Sequence, residues 1–95
     1  MHELRELRLA VDRLHGCKAR HLKSVTVKEI FQGKTVWDGI VEVFELSGHS
    51  KAKRCYAWGH WEEKAGKQTR IVTVLGVPPV DSPLAAVRAA MVRPA

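Results

Sequence analysis

The chain lacks any long apolar run. No stretch of its 95 residues approaches the roughly 20 consecutive apolar residues that cross a bilayer as a helix. The opening segment MHELRELRLAVDRLHGCKARHL is charged throughout and has no apolar core of the kind that marks a secretion signal. Cysteine is scarce. Cys17 and Cys55 are too few for a disulfide framework, and free thiols in a reducing compartment are expected. A cytoplasmic protein that does not enter the membrane is the reading these absences support. No internal repeat or low-complexity segment is present. Neither G-x-x-x-x-G-K-[ST] nor G-x-G-x-x-G occurs, so phosphate-cradling loops of those types are not indicated.

Ligand-type residues are thinly scattered. His15, Cys17 and His21 have irregular spacing and no second pair at a zinc-like distance; His49, Cys55 and His60 are similar. Chance explains both groups, and no metal or cofactor is expected. No local signature surrounds Cys55, which reads as a small core residue rather than a nucleophile. Asp38, Glu42 and Glu45 would act as acid and base only if buried together, whereas carboxylates on a strand more often solvate it.

What the sequence does hold is an ordinary globular composition, 45% hydrophobic, in a length that suits one small domain. Residues 1–21 form an N-terminal helix and linker, 22–76 a four-stranded sheet and 81–93 a C-terminal helix. In the first, Leu4, Leu7, Val11 and Leu14 recur at helical spacing, and Gly16 is a natural stop. Strands are expected over Ser24–Phe31, Thr35–Leu46, Lys53–Trp61 and Thr69–Leu75, with Gln32-Gly33-Lys34 as a tight turn, Ser47–Lys51 as a polar loop and Glu62–Gln68 as a charged turn. Thr35–Leu46 is apolar on both parities, so both its faces are covered or a bulge, expected at Gly39, switches them. Val77-Pro78-Pro79-Val80 is an extended connector. Ser82 before Pro83 is a favoured N-cap and first-turn pairing. Short links favour an antiparallel meander, and the fold class is α+β, with the C-terminal helix packed on one face of the sheet.

The third strand divides by parity. Cys55, Ala57, Gly59 and Trp61 point one way; Arg54, Tyr56, Trp58 and His60 point the other. The smaller set suits the alanine-rich C-terminal helix. The larger set would then be left bare, a patch large enough to need the N-terminal helix, a second copy of the chain or a ligand. A symmetric homodimer is the favoured covering.

The formal net charge is +6, with a local run at Lys51, Lys53 and Arg54. Basic chains are drawn to nucleic acid or anionic surfaces. Lys51, Lys53, Arg54, Tyr56, Trp58 and His60 are therefore the candidate binding residues. Their cations would hold phosphates while their rings stack on single-stranded bases. A buried or interface aromatic cluster is the more ordinary arrangement, and no RNA-recognition, KH or zinc-finger pattern supports the nucleic-acid reading.

The segments Val27–Leu46, Lys51–His60 and Val77–Val92 resemble short uncharacterised bacterial proteins carried in integron gene cassettes and other mobile contexts. The resemblance covers roughly residues 22–92 and leaves the N-terminal helix outside it. It implies a bacterial cytoplasmic protein that self-associates, and it supplies no catalytic residues. Taken together, a non-enzymatic homo-oligomeric binding or adaptor module with a protein partner is expected. Single-stranded nucleic-acid binding, and a small-molecule or enzymatic site between subunits, are the alternatives.

Overall fold

The structure, a computed structural model, describes residues 4–61 and 69–92; the side chains of residues 60, 61, 69, 70 and 92 are outside the description. The turn expected at Glu62–Gln68 lies outside the described residues. The order is α1 (Leu4–His15), β1 (Lys18–Phe31), β2 (Lys34–Ser47), β3 (Arg54–Trp61), β4 (Thr69–Leu75) and α2 (Pro83–Val92). The strands form one antiparallel sheet in the order β1-β2-β3-β4, the α+β meander the sequence indicates.

Local chemistry accounts for the ends of these elements. Gly16, at φ 61°, stops α1, and the Cys17 amide donates back to the Asp12 carbonyl. The Asp12 carboxylate accepts the Ala19 amide at 2.7 Å, which ties the first strand to the helix before it. Gln32 and Gly33 turn β1 into β2 with φ 52° and 77°, both positive as a type I′ hairpin requires. At α2, the Ser82 hydroxyl accepts the Ala85 amide and the Ser82 carbonyl accepts the Ala86 amide, the expected N-cap.

The first strand begins at Lys18, earlier than its β-branched residues suggest. Lys18–Lys23 alternates charged with small or half-buried side chains, and its inward member Ala19 is buried beneath α1. The bulges also differ from expectation. The pairing shifts past Leu22 in β1 and Val36 in β2, not at Gly39. Gly39 has another role, because the Trp37 ring lies across it. A Cβ placed there would come within 3.1 Å of the ring edge. Trp37 in turn meets Trp58 edge-on, with centroids 5.6 Å apart.

Each face of the sheet carries one helix. Leu7 and Val11 of α1 pack on Ala19, Phe44, Leu46, Cys55 and Ala57. On the opposite face Ala86 and Val87 of α2 pack on Val27, Val41, Val43, Tyr56 and Trp58. This reverses the expectation that the alanine-rich helix lies over Cys55 and Ala57. On β3 the small Cys55 and Ala57 lie under Leu7 and Val11 of α1, and the large Tyr56 and Trp58 lie under Ala86 and Val87 of α2. The Tyr56 and Trp58 face is not left bare.

β2 pairs with β3 only from Glu42 to Glu45, opposite Ala57 to Arg54. Beyond that ladder the Leu46 amide also bonds the Lys53 carbonyl, whereas β2 before Glu42 is registered with β1, and the outer hairpin reaches past the common ladder.

Gly39→Ala is expected to miss the roughly 0.5–1 kcal/mol stabilisation that alanine normally brings over glycine inside a strand. The new methyl must displace the Trp37 ring. Urea unfolding together with the near-ultraviolet circular dichroism of the Trp37–Trp58 pair checks this. A full gain with an unchanged aromatic signal would contradict the packing described.

Candidate functional site

The candidate binding residues separate into three environments. Lys51, Lys53 and Arg54 are exposed at the end of the sheet where β2 passes to β3. Tyr56 and Trp58 are buried, at 3% and 4% exposure, under α2. The side chain of His60 lies outside the described residues. Tyr56 and Trp58 are therefore not an open stacking surface, because α2 occupies the volume that bases would need. Burial raises the Tyr56 hydroxyl's pKa, in keeping with a core position.

The exposed cations have neighbours that the sequence run does not contain. Lys18 is registered opposite Ser47, Arg20 opposite Glu45, and Glu45 opposite Arg54. The Leu46 amide donates to the Lys53 carbonyl. Five basic residues, Lys18, Arg20, Lys51, Lys53 and Arg54, thus share one end of the sheet with Glu45. Arg20 donates to Glu45 Oε1 from Nε at 3.2 Å and from Nη2 at 2.7 Å. That contact, with a smaller contribution from the Arg54 charge, lowers the Glu45 pKa. The loop is shaped by His49, whose Nδ1 accepts the amides of Lys51 at 3.1 Å and Ala52 at 2.9 Å. Sequence reading missed Lys18 and Arg20. Their signal was the alternation Lys-Ala-Arg-His, which marks a strand with basic residues on one side.

The histidines and cysteines do not converge. His15 Nε2 bonds Thr73 Oγ1 at 3.0 Å, and its ring lies edge-on to His49 with centroids 6.3 Å apart. His21 Nε2 bonds Glu42 Oε1 at 2.9 Å, and Ser24 Oγ donates to the same oxygen. Among the described residues no three His, Cys, Asp or Glu side chains are grouped to hold a metal. Cys17 and Cys55 are both free. Burial pushes the Cys55 thiol up to about 12, so little nucleophilic thiolate forms there at neutral pH. The carboxylates also separate: Asp38 is registered opposite Lys28, Glu42 bonds His21 and Glu45 bonds Arg20.

A second surface lies at the far end of the β1–β2 hairpin. Ile30, Phe31 and Val36 are exposed there, and Met91 of α2 is exposed beside them. With Glu29 and Arg88 they line an open groove of about 390 Å³. Arg88 and Glu29 form an ion pair at its edge, including a bond from Arg88 Nη2 to Glu29 Oε1 at 3.3 Å. This contact lowers the Glu29 pKa.

No family model matches the chain, and neither a curated protein nor a solved structure matches it. None of the described helices is long and apolar enough to cross a membrane.

Trp58→Ala is expected to cost roughly 3–5 kcal/mol of stability, the range for truncating a buried aromatic. Chemical denaturation checks this, and a near-neutral result would contradict the packing under α2. His15 gives a pH signature. Burial, and then the nearby His49, hold its pKa below the ordinary 6.5. Below that value the unfolded chain binds a proton that the folded chain refuses. The His15 contribution is therefore complete above pH 6.5 and is lost as pH falls toward the folded pKa. Unfolding measured across roughly pH 5–8 should show a decline on acidification that is shallower in His15→Gln.

Proposed function

We propose that this chain is a non-enzymatic binding module of the bacterial cytoplasm that works as a homodimer, two copies meeting at the tip of the β1–β2 hairpin. One observation carries the reading. Ile30 (56% exposed), Phe31 (63%), Val36 (45%) and Met91 (44%) gather where the tip of the β1–β2 hairpin meets the end of α2. A protein of this size gains little from holding such side chains in water, and clustered exposed apolar groups mark association surfaces.

The cluster is suited to a second copy because it is both knob and hole. Phe31 lines the groove and is 63% exposed, so a two-fold axis near the tip carries each Phe31 toward the groove of the other chain. Glu29 and Arg88 place one charge of each sign at the groove, and the same axis sets acid against base across the interface. The resemblance of residues 22–92 to short integron-cassette proteins, among which self-association is common, supports the same reading. The dimer axis moves from the Tyr56 and Trp58 face, which α2 occupies, to the hairpin tip.

Phe31→Asp should abolish association without loss of fold, since Phe31 is exposed in the single chain. Sedimentation at tens of micromolar is expected to give a dimer for the native sequence and a monomer for the variant, with matching far-ultraviolet circular dichroism. A native chain that stays monomeric at that concentration would overturn the proposal.

A further inference from the structure

The basic end and the apolar tip lie at opposite ends of the β1–β2 hairpin, so a role for the basic end is independent of self-association. Lys18, Arg20, Lys51, Lys53 and Arg54 stand against two acids, Glu45 and the Asp12 carboxylate that holds the Ala19 amide, and the end keeps three net positive charges. The arrangement is built by the strands. Lys18 and Arg20 are two residues apart on β1 and share a side, about 7 Å along the strand. Arg54 shares the cross-strand row of Arg20 through Glu45. Lys51 and Lys53 project from the loop that His49 fastens.

The class of partner is set by the surroundings of these charges. In residues 18–20 and 45–55, every exposed residue is lysine, arginine, serine or glycine, and the apolar ones, Ala19, Leu46, Ala52 and Cys55, are buried. A protein partner needs an apolar centre to its interface, with charge kept to the rim. A phosphate backbone needs cations and small polar groups and little else. Tyr56 and Trp58, which could have read bases by stacking, are closed off under α2.

We infer that the Lys18, Arg20, Lys51, Lys53 and Arg54 end of the sheet binds the phosphate backbone of nucleic acid without regard to base sequence. Glu45 neutralises one charge by holding Arg20, which leaves about three or four phosphates to be contacted. Release of the counterions on those phosphates sets the salt dependence, a slope of about −0.9 in log affinity against log salt for each phosphate on a duplex.

Fluorescence anisotropy with a short labelled DNA duplex at low ionic strength tests this on the full chain. The expected slope is about −3, the same for duplexes of unrelated sequence. Lys51→Ala with Lys53→Ala should flatten it by about two, one for each lost phosphate contact. Lys28→Ala with Lys34→Ala, which removes the same charge from the outer hairpin, should leave binding within about twofold of native. All of these lysines are exposed, and circular dichroism checks the fold of both variants. The inference fails if no binding is seen at low salt, if the two double variants lose affinity equally, or if a polyglutamate chain of matched charge displaces the duplex as well as unlabelled DNA does. The last result would assign this end to an acidic protein.

Discussion

Complementary side-chain size across two opposed sheet faces is the constraint on which this structure depends. β3 presents Cys55 and Ala57 to one side and Tyr56 and Trp58 to the other. Phe44 and Leu46 of β2 stand beside the small pair on one side, and Val41 and Val43 beside the rings on the other. α1 brings Leu7 and Val11 to the first side, and α2 brings Ala86, Val87, Ala90 and Leu84 to the second. Close packing, not the amount of apolar surface alone, assigns each helix to its face.

This assignment determines what the molecule can offer to partners. With both central faces filled, two surfaces of contrasting chemistry stand at the two ends of the long β1–β2 hairpin. One end is apolar with a paired acid and base; the other is basic and set among serines and glycine. Their chemistry is different enough that one can associate with a like surface while the other attracts polyanions. The connector before α2 helps keep the basic end in place, because the Gly76 amide donates to the Arg54 carbonyl at 2.7 Å, and a Cβ at Gly76 would come within 3.0 Å of that oxygen.

Much of the fold was legible in local sequence signals. Helix stops, the Gly33 turn and the Ser82 cap each follow from a residue whose backbone preference or side-chain bond acts within a few positions. The third strand's parity split was also readable. What it could not indicate was which helix lay on which side, since that is decided by volume matching among residues far apart in the chain. Gly39 was read as a bulge for a similar reason: a glycine in a strand signals close approach, but only the folded chain reveals that the approaching group is Trp37. Of the candidate site, the loop cations were legible because they are adjacent in sequence. Lys18 and Arg20 join them only through strand register, 25 residues away at the Arg20–Glu45 contact.

The narrow junction between β2 and β3 has a consequence for how such a protein can vary. Among the described residues a short ladder, Glu42–Glu45 with Arg54–Ala57 extended by the Leu46–Lys53 bond, stitches the two hairpins together, while the outer part of the first hangs from its own turn and rests on α2. Residues at that tip lie beyond the shared ladder. Their number and character can change without unpicking the seam, which makes the tip a place where new associations can be built while the rest of the domain keeps its shape.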